Sequence, residues 1–155
     1  MHHIPVNEIM QHTVITIHPE ALASDAATLM EEMVIRRLPV LDENDCLVGI
    51  VTDTDVLEAE TAHRVLNSYE PEAEAKWLAV ADIMTREVIT IEADATVGQL
   101  ALKLLEHKIG GVPVVAEDRD HCNHQRLIGI VTETDIFRMI AEAWLAETEM
   151  SRPPV

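Results

Sequence analysis

The sequence predicts an α+β fold made of two copies of one β-α-β-β-α unit. Three observations predict it. First, Gly49-Ile50-Val51-Thr52-Asp53-Thr54-Asp55-Val56 returns as Gly129-Ile130-Val131-Thr132-Glu133-Thr134-Asp135-Ile136. Ile9-Met10 with Val14-Ile15-Thr16-Ile17 returns as Ile83-Met84 with Val88-Ile89-Thr90-Ile91, and Leu38-Pro39-Val40-Leu41 returns as Val112-Pro113-Val114-Val115. Second, each copy alternates short β-branched runs with stripes of helical spacing. Third, a unit this short rarely buries its apolar face alone, whereas two packed copies can. The offset is 74 residues through the Pro motif and 80 at the glycine, so the second copy carries a six-residue insertion.

In the first copy, Val14 to Ile17 is short and β-branched and stops at His18-Pro19, which predicts a strand. Leu22, Ala26, Leu29, Met30 and Met33 mark one face of a helix. Leu38 to Leu41 suits a strand with Pro near its start. Asp42-Glu43-Asn44-Asp45 is a turn, and Leu47 to Val51 is the returning strand, with Gly49 where a backbone or ligand approaches closely. Thr52 opens a helix to about residue 67. The second copy repeats the order. Val88 to Ile91 is a strand, Val97, Leu100, Ala101, Leu104 and Leu105 form a helical stripe, and Gly110-Gly111 is expected as its left-handed cap. Val112 to Val115 and Leu127 to Val131 form the hairpin, and a last helix runs from Glu133 to about Glu147. The expected boundaries are 4–68 and 82–147 for the repeats, 69–81 for a linking helix that carries Trp77, and 148–155 for a tail.

The chain of 155 residues is long enough to bury roughly 70% of its unfolded surface. Apolar residues make up 48% and aromatics 3%, so the core must be aliphatic. Scarce aromatics disfavour single-strand nucleic-acid binding, which needs stacking platforms. A formal charge of −17 repels phosphate backbones and anionic membranes, so neither nucleic acid nor membrane is an expected partner. No apolar run approaches the ~20 residues of a membrane span, and Met-His-His-Ile-Pro lacks signal-peptide features. Cys46 and Cys122 occupy equivalent hairpin positions. Nothing resembles a disulfide scaffold, so a reduced, cytoplasmic setting is the default, with pairing of the two left open.

Thr52-x-x-Asp55 and Thr132-x-x-Asp135 sit where a strand becomes a helix. As local structure, each is a capping box. As chemistry, a carboxylate there can accept bonds from two ribose hydroxyls, and the Thr hydroxyls and free helix N–H groups can meet phosphate. Arg36-Arg37, before Leu38-Pro39, is either a solvated pair at a helix end or a phosphate clamp in an otherwise acidic chain. His121-Cys122-Asn123-His124, beside Asp118 and Asp120, lies in the inserted loop and reads as solvated loop rather than metal site. His107 suits a helix C-terminus, and Trp77 and Trp144 suit packing or dimer contacts. No Gly-x-Ser-x-Gly, Gly-x-x-x-x-Gly-Lys or oriented Cys/His pair is present, so no catalytic set is expected.

The order strand, helix, x-x-Pro-Val, hairpin, Gly-Ile-Val-Thr-x-x-Asp, given twice, resembles the CBS (cystathionine β-synthase) domain pair, or Bateman module, over about residues 4 to 147. The resemblance implies tandem repeats packed with pseudo-twofold symmetry, adenine-nucleotide ligands (AMP, ADP or ATP) or S-adenosylmethionine, and modules that often pair into a flat homodimer. It also implies sites that draw on both repeats. Carried over by residue, the favoured site combines Ile15, Thr16, Arg36 and Arg37 with Thr132, Thr134 and Asp135. A second, weaker site combines Thr52, Thr54 and Asp55 with Ile89, Thr90, Gly110 and Gly111, because the arginine pair has become glycine there. Asp holds ribose, the first strand's backbone reads adenine, and the arginines face phosphate. The implied function is a regulatory nucleotide sensor without its own catalysis or redox cofactor; whether magnesium accompanies ATP, and which partner is regulated, stay open. A ligand-free dimerisation module and an enzyme acting on a nucleotide are the alternatives. Leu57, Val65 and Leu66 match Phe137, Ile140 and Leu145 loosely, spacing that serves a dimer face or an internal core equally.

Overall fold

In the computed structural model, which describes residues 1–66 and 78–154, the described chain forms two compact units. Unit 1 comprises Met1–Val14, Ile89–Asp118 and Leu127–Val155, and unit 2 comprises Ile15–Val88 and Arg119–Arg126. Most of the linking helix expected over 69–81, with Trp77, lies outside the described residues.

Unit 2 contains α1 (Ala23–Met33), β1 (Arg37–Leu41), β2 (Leu47–Thr52), α2 (Asp53–Leu66) and the short α3 (Val80–Ile83). β1 and β2 pair antiparallel, with Arg37 opposite Thr52 and Pro39 opposite Ile50. Asp42 closes the turn between them, its Oδ1 accepting the N–H of Asn44 at 2.9 Å and of Cys46 at 3.0 Å. Ala26, Met30, Leu38, Val40, Val51, Val56 and Val80 form an aliphatic core.

Unit 1 repeats the order with β3 (Ile91–Glu92), α4 (Val97–His107), β4 (Gly111–Glu117), β5 (Gln125–Thr132) and α5 (Glu133–Met150). β4 lies between β5 and β3, which it meets in parallel through Ile91–Val114 and Glu92–Val115. Thr96 and Gln99 cap α4 reciprocally, each side chain accepting the other residue's N–H, at 3.2 and 2.9 Å. The core is Val6, Met10, Ile91, Leu100, Leu104, Val112, Val114 and Val131.

Each core borrows a segment from elsewhere in the chain. Residues 4–11, which the repeat pattern groups with the first copy, bond to the second: Val6 N–H donates to Ala95 O (2.7 Å), and Gln11 exchanges backbone bonds with Ile130 (2.8 and 3.0 Å). Residues 79–85 serve the first copy, with Val80 N–H on Ala21 O and Thr85 exchanging bonds with Ile50. The two glycines of the repeat permit this. A Cβ at Gly129 would lie 2.6 Å from Met10 Sδ and 3.0 Å from Gln11 O, and one at Gly49 would overlap Met84 Sδ. The approach expected at Gly49 is that of backbone and a methionine side chain.

Several expectations need correction. Val14 to Ile17 is extended but not a ladder strand. It makes one parallel bridge, Ile17 to Val40, through Ile17 N–H to Pro39 O and Leu41 N–H to Ile17 O. Its counterpart over 88–91 shortens to Ile91–Glu92 for the same reason: only the end of the run reaches a neighbour. Leu78 and Ala79 are not helical; Ala79 bridges Leu22 before α3 begins. Gly110-Gly111 does not cap α4. Among the described residues no glycine has positive φ, and Lys108 (φ 54°) holds the left-handed position. The cap is a Schellman motif, with Lys108 N–H on Leu105 O and Ile109 N–H on Leu104 O. α1 ends identically at Val34 (φ 56°), with Ile35 N–H on Met30 O and Val34 N–H on Glu31 O. Met33 and Leu105 are exposed, so the buried stripes are narrower than their spacing suggests.

Cys46 and Cys122 form a disulfide with Cα atoms 5.6 Å apart, which settles their open pairing. It ties the β1–β2 turn to the inserted loop, both within unit 2. His121 reinforces the junction, with Nε2 2.7 Å from Asp45 O.

Candidate functional site

The strand-to-helix junctions carry the chemistry. In unit 2, Thr52 N–H donates to Asp55 Oδ2 (2.9 Å) and Asp55 N–H donates to Thr52 Oγ1 (3.1 Å). This is the capping box read from the sequence. Beside it, Asp53 N–H donates to Arg36 O (3.0 Å), which holds the residue before the Pro motif against the start of α2. Arg37 faces Thr52 across the ladder. Arg36 is exposed and Arg37 half-buried. Thr54 is exposed, with its N–H on Asp53 Oδ1 (2.9 Å). Ile15 and Thr16 lie half-buried on the extended segment of the same unit, Ile15 against the core.

The junction in unit 1 has the same backbone and a different electrostatic state. Glu133 N–H donates to Gly110 O (2.9 Å), as Asp53 does to Arg36, so Gly110 and Gly111 occupy the arginine places. Thr134 is exposed, and Ile89 and Thr90 are half-buried, Ile89 against the core. Lys103, on α4, reaches Thr90 O with its ammonium at 2.7 Å.

Asp135 is the one buried charged residue among those described, at 5% exposure. Burying a carboxylate is costly unless hydrogen bonds replace its water. Four donors do so. Oδ2 accepts Thr132 N–H (2.8 Å) and Thr132 Oγ1–H (3.2 Å). Oδ1 accepts Gln11 Nε2–H (2.8 Å) and an Arg138 guanidinium N–H (3.0 Å). A carboxylate offers about four lone-pair sites, so Asp135 is saturated. Asp55 has only the Thr52 bond among the described residues, and its Oδ1 is unengaged there.

The repeat comparison singled out Asp135 but missed Gln11 and Arg138. Their signal was present as broken symmetry. Arg138 corresponds to Glu58 at the 80-residue offset, and Gln11 corresponds to Thr85 at the 74-residue offset. Neither departure falls inside a motif. The histidines of the inserted loop do not gather: Cys122 is in the disulfide, and among the described residues no group of three or more His, Cys, Asp or Glu is arranged to hold a metal. Among those residues, too, no helix is long and apolar enough to cross a membrane.

Comparison with known proteins places this geometry. The CBS-domain family model matches residues 6–62 and 80–142. The CBS domain pair of protein MJ0100, solved in complex with 5′-methylthioadenosine and S-adenosyl-L-methionine, is 32% identical with a TM-score of 0.72, over 90% of this chain and 97% of that one. CBSX2 in complex with AMP is 29% identical with a TM-score of 0.71, over 90% and 98%. L-Aspartate semialdehyde sulfurtransferase of Methanocaldococcus jannaschii is 33% identical over 134 residues, 86% of this chain but 23% of that protein. Inosine-5′-monophosphate dehydrogenase of Korarchaeum cryptofilum is 34% identical over 139 residues, 90% of this chain and 25% of that protein. The chain thus spans about a quarter of the length of these curated enzymes. With two matched segments covering most of its length, the chain belongs to the CBS-domain family, as a pair of CBS domains.

Proposed function

We propose that this CBS pair is a regulatory module that binds an adenosine-containing ligand and has no catalysis of its own. The observation that carries the reading is the duplicated Thr-x-x-Asp, set at a strand-to-helix junction in both units with its carboxylate held in place. Two similar CBS proteins were solved with AMP or with methylthioadenosine and S-adenosylmethionine, which supports the ligand class. Asp55 and Asp135 accept ribose hydroxyls, and the helix starts with Thr52, Thr54, Thr132 and Thr134 favour a phosphate. Backbone at Ile15, Thr16, Ile89 and Thr90 reads the adenine edge. Arg36 and Arg37 supply phosphate charge that Gly110 and Gly111 cannot, which favours AMP, ADP or ATP for the ligand the arginines serve. Magnesium would enter with ATP as its companion. Binding acts by linkage: a ligand preferring one arrangement of the pair shifts the population toward it and alters a partner's affinity.

Homodimerisation belongs to the same reading. Phe137, Ile140 and Trp144 are exposed at spacings of three and four on α5, an apolar stripe of the kind that another helix covers. A cytoplasmic location also belongs to it, and the Cys46–Cys122 disulfide is the observation that pulls the other way.

Thermal unfolding with millimolar AMP, ADP, ATP, methylthioadenosine and S-adenosylmethionine tests the ligand class. At one hundred times Kd, a ligand adds about 2.7 kcal/mol to the folded state, a rise of about 5–10 °C for a chain of this size. Asp55→Ala, Asp135→Ala and Arg36→Ala should each reduce the response, since bonds to a charged group are worth ~1.5–3 kcal/mol. No shift with any of the five leaves the Thr-x-x-Asp pairs as caps, and the module as a structural dimeriser.

A further inference from the structure

We propose that Arg138 and Gln11 form a lock on Asp135, so that the Asp135 half accepts anionic adenosine ligands and rejects neutral ones. This rests on the reading of Asp135 as a ribose acceptor. The four donors already on Asp135 leave no lone pair for a sugar hydroxyl. Two of them are fixed by the helix cap at Thr132. The other two are side-chain tips able to leave: Gln11 keeps its place through its backbone bonds to Ile130, and Arg138 is 52% exposed. A ribose must therefore displace Arg138 and Gln11 from Oδ1.

The displaced guanidinium needs a new anion. Its charge-assisted bond to a buried carboxylate is stronger than a neutral one. A ligand that takes the carboxylate without replacing that bond loses most of what it gains. The 5′ group of an adenosine ligand is separated from the 2′- and 3′-hydroxyls only by the sugar ring, so a 5′-phosphate offers the released Arg138 an anion nearby. The 5′-methylthio group offers none. Exchange with AMP is close to balanced for Arg138, whereas exchange with methylthioadenosine strands it.

The lock belongs to one repeat. Asp55 has neither partner, because Glu58 stands where Arg138 would be and Thr85 where Gln11 would be. Its Oδ1 is unengaged among the described residues, so a ribose can take it without displacement. With Glu58 in place of an arginine, the Asp55 half has no guanidinium to release and selects for charge in no such way.

Calorimetric titration of AMP and 5′-methylthioadenosine tests this in four full-length proteins: wild type, Asp55→Ala to isolate the Asp135 half, and Asp55→Ala combined with Arg138→Gln or with Arg138→Lys. Unfolding curves confirm that each is folded. In Asp55→Ala, AMP should bind at least about tenfold tighter than methylthioadenosine, the worth of one bond to a charged group. Arg138→Gln should shrink that ratio by about tenfold, tightening methylthioadenosine while weakening AMP. Arg138→Lys should restore most of the preference. An unchanged ratio in Arg138→Gln, or equal weakening of both ligands, overturns the lock and makes Arg138 a structural partner of Asp135. Absence of binding by either ligand to wild type instead overturns the ribose reading beneath it.

Discussion

Reducing or removing the Cys46–Cys122 disulfide should destabilise unit 2 more than any single side-chain truncation on its surface. The bond closes a loop with a sequence separation of 76 residues. On the chain-entropy account, a loop of that length restricts the unfolded ensemble by roughly 4.5 kcal/mol at 25 °C. The His121–Asp45 bond is exposed and worth about 1 kcal/mol at most. Cys46 is buried and Cys122 is not, so replacing both by Ala vacates little core volume. The expected loss is therefore the loop term: a fall in Tm of about 9–18 °C for a chain of this size. Calorimetry of wild type with and without a dithiol reductant, and of Cys46→Ala/Cys122→Ala, separates loop closure from side-chain loss. Reduced wild type and the double variant should melt together, well below the oxidised protein. Two titratable thiols in unreduced, denatured wild type would refute the premise. A reduction-induced shift below about 2 °C would refute the energetics.

Two further outcomes follow from the geometry. Val34→Gly should raise stability by about 1 kcal/mol, because a β-branched residue at φ 56° and 90% exposure bears the left-handed cost and buries nothing; unchanged or lower stability on chemical unfolding would count against it. Phe137→Glu/Trp144→Glu should leave the fold intact and convert a dimer to a monomer in light-scattering chromatography, since both side chains are exposed; a wild type already monomeric at high concentration would remove the α5 stripe from the dimer proposal.

The repeats, the hairpins and four long helices were legible because each rests on local signals. Apolar period, turn residues and caps act within a few positions, and duplication let each copy vouch for the other. The same locality explains the misreadings. Gly110-Gly111 looked like a helix stop because glycine is the usual left-handed residue, yet Val34 and Lys108 take that conformation in both copies, two positions before the expected stop in α4. Val14 to Ile17 had strand composition, but a strand needs neighbours, and only Ile17 found one. The Thr-x-x-Asp residues were found from spacing alone, while the difference between their two carboxylates was not.

By itself, the sequence determined that this is a duplicated α+β chain with an aliphatic core and two equivalent strand-to-helix junctions, since those properties follow from composition and short-range spacing. Tertiary structure alone decided that residues 4–11 complete the second repeat, that Cys46 meets Cys122, and that Asp135 is filled by Gln11 and Arg138 while Asp55 is not. The physical reason is separation along the chain. Gln11 and Asp135 are 124 positions apart, and a hydrogen bond between them depends on where the backbone returns, which no local propensity records.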